Sequence, residues 1–461
     1  MKKTVLLYLL IVVGFFCSEK IVAQDTSAIT HLLLQKKLIT QKEADSLFTL
    51  SSFNQKVNSE NKSFAIGLEF RPRIEYRDGY RQLRTEDTKA AYFGTQRSRL
   101  NFNYEQPKFK FHTSIQDIRV WGQYELNNSS GSLNVFEAYV ETAITNHFSV
   151  KLGRQKVELD NGRLFSAANW RQSARAHDGI NFIYNNDRIH SEFITAFNQT
   201  SERIFETDFA PTTFTNYKML NIHYLKAKLN KHFTLTTINA ADGYESTTNA
   251  NTLYTRATSG GRLDFEKGNL YLTLSGYYQY GKLQTGNQIS AYYFQPEIQL
   301  KTNKLTTRLG AEYMSGDNAN KTTDISKSFV PLYGVAWRFM GNMDYFTSFP
   351  TDLKNGGLIN PYLFFIYDLN KKVSLRSDFH LFYLQNKVKD NLDQVVHPYL
   401  GFENDLSFHY KYNSFTMVDF GFSYMAAKKS METLKAGNSN ITPVWSYLMI
   451  TFKPELFSFK K

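Results

Sequence analysis

The sequence predicts an all-β chain: a transmembrane antiparallel β-barrel of about 18 strands, preceded by a short N-terminal helical segment in the periplasm. Three observations carry this. Aromatic residues make up 15% of the 461 residues, yet after residue 24 no apolar run approaches the roughly 18 residues that a membrane helix requires. From Phe64 onward, apolar and charged residues alternate with period two, in segments of about ten residues or more, the length of a tilted spanning strand. Short turns such as Thr145-Asn146-His147, Asn185-Asn186-Asp187 and Asn370-Lys371-Lys372 take turns with longer Ser/Thr/Asn-rich loops. That asymmetry belongs to a barrel with short turns on one side of the membrane and long loops on the other.

The chain begins MKKTVLLYLLIVVGFFCSEKIVAQ. Lys2 and Lys3 precede an apolar run from Val5 to Cys17, and Val22-Ala23-Gln24 offers a cleavage site, so residues 1–24 read as a secretory signal peptide. A lipoprotein box needs a small residue before its cysteine, and Phe16 precedes Cys17. Cys17 is the one cysteine of the chain, so the exported product uses no disulfide or thiol chemistry. The formal charge is +12, and removal of residues 1–24, which carry +2, leaves about +10. A basic exported chain points to acidic partners, anionic sugars and lipid head groups ahead of nucleic acid.

Residues 25–62 read as a periplasmic helical segment and linker. Leu33, Leu34, Leu38 and Leu47 have helical spacing, and Thr40 stands three residues before Glu43 in a capping-box pattern. The barrel then occupies 63–461. In FAIGLEFRPRIEYR, the residues Phe64, Ile66, Leu68, Phe70, Ile74 and Tyr76 share one face, and Glu69, Arg71, Arg73, Glu75 and Arg77 share the other. Composition alone leaves a secreted sandwich or propeller open. The polar faces decide for a barrel, because they carry several charges per strand, often of both signs, as a wet lumen allows.

Strands are expected to start near Phe64, Thr95, Phe109, Val135, Phe148, Ala176, Ile189, Tyr217, Phe233, Thr255, Leu270, Ile289, Leu305, Ile359, Val373, Tyr399, Ser414 and Val444. The stretch YKMLNIHYLKAKLN (217–230) fits either register. Residues 315–358 form one long aromatic, Gly/Pro-broken loop, of a length that is usually functional. It can enter the lumen or pack outside.

Three stretches carry a resemblance: QDIRVWG (116–122), FEAYVE (136–141), and LGRQKVELDNGRL (152–164) with Asn169-Trp170, Arg175 and Asp178-Gly179 after it. In this order they resemble the alginate-export family of outer-membrane porins, and LYGVAWRFMGNMDYF (332–346) is similar to a stretch found there. The resemblance implies an 18-stranded barrel in the outer membrane of a Gram-negative bacterium, with a narrow arginine-lined pathway for a polyuronate. Arginine stays charged at any working pH and pairs bidentately with carboxylates, so several along a pore suit a polymer with one carboxylate per sugar.

Arg71, Arg73, Arg77, Arg97 and Arg99 face inward by alternation. Arg119, Arg154, Arg163 and Arg175 are carried over from the family motifs. Asp117, Glu137 and Asp178 are the expected counter-charges. A β-bulge near Gln116 and Asp117 is expected to turn Asp117 and Arg119 inward, with Trp121 near the rim. Trp121 and Trp170 read as rim packing or interface anchors.

No catalytic residue, metal site or cofactor is expected. His177 and Asp178 are adjacent and so point to opposite faces of a strand. His112 and Ser114 share a face without a third partner, and no Cys/His cluster has zinc spacing. The function expected is passive export of an anionic polysaccharide such as alginate. The alternatives are an anion- or oligosaccharide-selective uptake porin of the same fold and a barrel hydrolase. Outer-membrane lipid, lipopolysaccharide and periplasmic export proteins are the expected surroundings.

Overall fold

The computed structural model describes residues 61–123, 133–199, 201–205, 217–247, 252–321 and 323–461. The expected signal peptide and nearly all of the helical segment lie outside the described residues. The chain divides into two compact units. One comprises Phe64–Tyr104 with Lys108–Phe459, and the other Met1–Ser63 with Glu105–Pro107 and Lys460–Lys461. Of the second, only residues 61–63, 105–107 and 460–461 are described; the first is the barrel.

The strands are β1 (Ser63–Asp78), β2 (Ala91–Gln106), β3 (Phe109–Val120), β4 (Asn134–Ala143), β5 (Phe148–Gln155), β6 (His177–Asn185), β7 (Ile189–Phe197), β8 (Met219–Lys228), β9 (Phe233–Glu245) and β10 (Leu253–Lys267). They continue as β11 (Leu270–Lys282), β12 (Gln288–Thr302), β13 (Leu305–Met314), β14 (Ile325–Ser326), β15 (Leu358–Asp368), β16 (Val373–Leu384), β17 (Tyr399–Lys411), β18 (Thr416–Ala427), β19 (Val444–Phe452) and β20 (Glu455–Lys460). Among the described residues eighteen strands form the wall, β1–β13 and β15–β19, each antiparallel to the next. β19 pairs back onto β1, with Tyr76 opposite Ser446 and Asp78 opposite Val444, and the sheet closes. Closure leaves no unpaired edge in the bilayer. β14 is a two-residue bridge beside β12, and β20 also pairs with β1. The 18 expected strands are the 18 observed, each start within four residues of its prediction.

Side-chain hydrogen bonds explain the short turns. The carboxamide oxygens of Asn186, Asn230, Asn370 and Asn413 each accept two backbone N–H groups just ahead, and Thr145 does the same with its hydroxyl. This local bond substitutes for strand pairing and reverses the chain in three or four residues. Inside the wall, Tyr277, Tyr362 and Tyr447 lean across Gly260, Gly310 and Gly421, their direct register partners, where a Cβ would collide with the ring.

Two segments fill the lumen: residues 156–176 between β5 and β6, and residues 315–357 between β13 and β15. They meet at a bridge between Phe165 and Tyr333. Leu159, Leu164, Phe165, Tyr333, Phe339, Met340 and Met343 are buried there in one apolar core. The longer loop therefore enters the lumen. Irregular backbone at membrane depth needs hydrogen-bond partners from protein, and the wall supplies them. Gln279 exchanges two bonds with the backbone of Val330, and Asn360 donates to the Phe339 carbonyl. Glu403 and Asp405 accept the Met343 and Asn342 N–H groups.

The bulge lies in β4 rather than β3. Ser114 pairs with Glu137 and Ile115 with Val135, so Phe136 is the extra residue. Alternation along β3 is unbroken, which governs where Asp117 and Arg119 point.

Candidate permeation pathway

Five of the expected pathway arginines, Arg71, Arg73, Arg97, Arg163 and Arg175, hold the lumenal loops. Arg71 donates to the carbonyls of Asn169, Trp170 and Arg171 and to the Gln172 side chain. Arg97, fully buried, bonds Glu69 and the Gln172 carbonyl. Arg163 lies 2.7 Å from Glu312 through Nε and donates to the Val335 carbonyl, tying both loops to β13. Arg175 donates to the Tyr333 carbonyl; burial and the nearby Arg171 push its guanidinium down to about 10. Glu137 accepts the Lys156 N–H at the first residue of the shorter loop. Burial raises the carboxyl of Asp160, in the same loop, above its ordinary range, against the hydrogen bonds from Thr236 and Tyr224.

Arg73, Arg77 and Arg99 also face inward. Arg73 pairs with Glu75 at 2.9 Å, donates to the Trp170 carbonyl and lies 4.7 Å from that indole ring. Arg77 pairs with the other Glu75 oxygen and covers Tyr80. Arg99 bonds Gln116 and lies 3.9 Å over Phe136. Trp170 is a lumen residue, packed edge-on against Tyr447 at 4.8 Å, not a rim or interface anchor.

Arg119, Asp117, Arg154 and Asp178 are on the outer face, contrary to the expectation. Ser114 and Gln116 are buried inside, so the residues between and beyond them in β3 alternate outward. Arg119 bonds Asp117 at 2.5 Å beside Trp121, which covers Gly94 of β2 and donates to Gln96. On β5 the inward residue is Gln155, so Arg154 points out with Leu152 and meets Asp178 at 2.6 Å. Both pairs sit at the long-loop ends of their strands, where charge on the outer face lies near head groups and costs least. Position within a motif did not tell inward from outward; only pairing register did. His177, on the inner side, hydrogen-bonds the Tyr217 hydroxyl at 2.7 Å.

Three cavities follow one another beneath the lumenal loops. The largest, about 700 Å³, is lined by Lys226, Lys228, Lys231, Arg262, Asp264 and the Asn186 turn. It shares Asn161 and Arg262 with a second of about 310 Å³, lined also by Arg308, Arg338 and Arg376. That one shares Arg338 and Arg376 with a third of about 220 Å³, lined by Trp170, Trp337 and Tyr447. None of the nine arginines chosen from the sequence lines these three cavities; a different set does.

Arg262, Arg308 and Arg376 share one arrangement. Each stands on an inward position near the short-turn end of its strand, β10, β13 or β16. Each anchors its Nε and Nη2 edge. Arg262 bonds Asp264 and the Tyr271 hydroxyl, Arg308 grips both Glu297 oxygens at 3.1 and 2.7 Å, and Arg376 holds Asp378 at 2.7 Å. In all three, Nη1 makes no hydrogen bond among the described residues; that of Arg262 is buried, so Arg308 and Arg376 are the two that present a spare edge. An oriented guanidinium with a spare donor edge in a cavity is an anion contact whose geometry is set in advance. The sequence carries a signal, since Arg376 and Asp378 stand two residues apart in β16 and so share one face. What alternation could not show is which inward arginines the loops cover.

The alginate export family model matches residues 62–426. The chain belongs to the alginate export family. This alginate-export barrel is similar in fold to Pseudomonas aeruginosa OccK9 (OpdG), at a TM-score of 0.60 and 10% identity over 85% of this chain and 98% of that one. It is also similar to Acinetobacter baumannii OccAB4, at 0.58 and 12% over 87% and 100%. The structure of Pseudomonas aeruginosa OpdK with vanillate aligns at 0.58 and 11% over 86% and 99%. No curated relative matches the sequence. Family and fold together make the protein an outer-membrane channel and not an enzyme. Among the described residues no group of three or more His, Cys, Asp or Glu is placed to hold a metal.

Proposed function

We propose that the channel passes a carboxylate-bearing saccharide, in the manner of polyuronate export, with Arg308 and Arg376 as successive contacts and Arg262 as a cationic wall of the cavity before them. The observation that carries this reading is the common geometry of Arg308 and Arg376: one edge anchored, Nη1 spare, at cavities that share lining residues. The short-turn side of a barrel faces the periplasm, where an exported anion arrives. Each resident carboxylate orients its arginine and also moderates the pull on a passing anion, which a conducting site must release. Residues 1–24 would direct the chain to the periplasm, and residues 25–62 would stay there.

A second reading is uptake of short acidic oligosaccharides or small carboxylates. It is favoured by the lumenal loops, which narrow the interior to cavities of a few hundred Å³.

The test is reversal potential in planar bilayers, comparing wild type with Arg262→Ala/Arg308→Ala/Arg376→Ala, with oligouronates of increasing length as blockers. Anion preference and block, both lost in the variant, support the reading. A pore indifferent to charge, unchanged in the variant, overturns it. Passage limited to the shortest oligomers favours uptake over export.

A further inference from the structure

The central parts of β8 and β9 invert the barrel's pattern, and β7 beside them places Thr195 outward between exposed Phe193 and Phe197. Elsewhere the outer wall is mostly apolar, with Leu272, Leu274, Tyr292, Phe294, Leu309, Phe420 and Leu448 exposed, and the outward Gln96 and Ser98 of β2 bond one another. On β8 the residues Leu220, Ile222 and Tyr224 point inward and are buried against the 156–176 loop, so Asn221 and His223 point out. On β7 and β9 the buried inner residues are Ile194, Ala196, Ile238 and Ala240, so Thr195, Thr237 and Asn239 point out. This inversion is why residues 217–230 fit either register in the sequence.

The outward polar residues are contiguous. Register places His223 opposite Asn239, and Asn239 opposite Ser259 of β10. Thr195 lies opposite Asn221 one row above, and Thr237 opposite Gly261 one row below. Ser259 and Gly261 are near the middle of β10, hence at mid-wall. Toward the long-loop rim, Arg154 and Asp178 lie one outward row beyond Leu152, Ile180 and Thr195. Among the described residues, the Asn221 and Asn239 carboxamides have no hydrogen-bond partner, whereas His223 meets Ser191 at 3.2 Å. Lipid chains offer these groups no hydrogen bond, and polar groups in bilayers are satisfied by packing against protein.

We propose that the outer wall from β5 to β10 is an intramembrane interface with a second copy of this chain. The patch is self-complementary, as a symmetric pair requires. Carboxamides donate and accept, so Asn221 and Asn239 can pair with their own kind. Arg154 and Asp178, side by side and each about half exposed, can cross-pair with Asp178 and Arg154 of the second copy. Six strands at about 4.8 Å spacing, over an apolar band about 25 Å tall, give a face of roughly 25 Å by 25 Å. That approaches the roughly 800 Å² per partner of a standard interface.

The test uses full-length protein in outer membranes, in a Cys17→Ser background. His223→Cys, Asn239→Cys and Ser259→Cys are each oxidised, beside Phe420→Cys and Leu448→Cys on the far wall. A two-chain band from at least one of the first three, with none from the far wall, is expected. Folded barrels that cross-link at none of the three, or equally at the far wall, overturn the proposal. Light scattering in mild detergent provides the second measurement. Wild type is expected at two chains, and folded Asn221→Leu/His223→Leu/Asn239→Leu at one. Wild type at one chain, or one chain joined to a different protein, overturns the second copy as occupant.

Discussion

Arg308 and Arg376 share one aromatic ring. Each guanidinium carbon lies 5.1 Å from the centroid of Phe364, which stands between them on β15. Register sets this row, with Arg308 opposite Phe364 and Phe364 opposite Asp378. The ring therefore spaces two cationic stations and braces both with its negative face. Phe364→Leu keeps most of the buried volume and should cost less than about 1.5 kcal/mol of stability. Anion preference should nevertheless fall, because both guanidiniums lose their brace. Urea midpoints and reversal potentials measured on one preparation check the two halves separately.

Single removals at the stations should weaken oligouronate block without loosening the fold. Loss of one charge-assisted hydrogen bond, worth about 1.5–3 kcal/mol, corresponds to about tenfold or more in blocking affinity. Arg308→Ala and Arg376→Ala are expected to show this in single-channel block. Arg71→Ala, whose donors hold loop carbonyls, should instead lower the unfolding midpoint. A larger effect on block from Arg71→Ala than from Arg308→Ala would reverse these assignments.

Arg163→Ala leaves Glu312 buried without its cation and both loops without their shared tie. Breaking such a pair costs about 3–5 kcal/mol. The urea midpoint should drop accordingly, and open-channel noise should rise as the loops loosen.

Glu403 and Asp405 hold the Asn342–Met343 backbone, through N–H groups at 2.7 Å to Glu403 and 3.1 Å to Asp405. Glu403→Ala/Asp405→Ala strips both acceptors from a buried turn, at about 1–3 kcal/mol for each orphaned group. Conductance should rise and flicker. Glu403→Gln keeps an acceptor oxygen and should conduct nearly as wild type, which separates the hydrogen bond from the charge.

Salt offers a test without mutation. Raising ionic strength from 0.15 to 1 M shortens the screening length from about 8 to about 3 Å. Oligouronate block should weaken steeply over that range, while any block by a neutral oligosaccharide of equal length should change little.

Strand number and order, the lipid-facing belt and the turns built on Asn186, Asn370 and Thr145 were legible in the sequence. All depend on neighbours two to four residues apart, where strand alternation and local hydrogen bonds operate. The aromatic loop at 315–358 was legible as unusual but not as lumenal, because its position depends on Gln279, Asn360, Glu403 and Asp405, all distant in the chain. The same limit governs the site. Arg71, Arg97 and Arg308 look alike along their strands, yet two lie under a loop and one faces a cavity. The inverted faces of β8 and β9 follow from the 156–176 loop, which makes a dry inner wall of residues that would otherwise meet water. Sequence by itself determined that a barrel forms and which residues share a face. Tertiary structure decided which charges are left free to meet a passing anion, because burial depends on what packs against a face and not on the face alone.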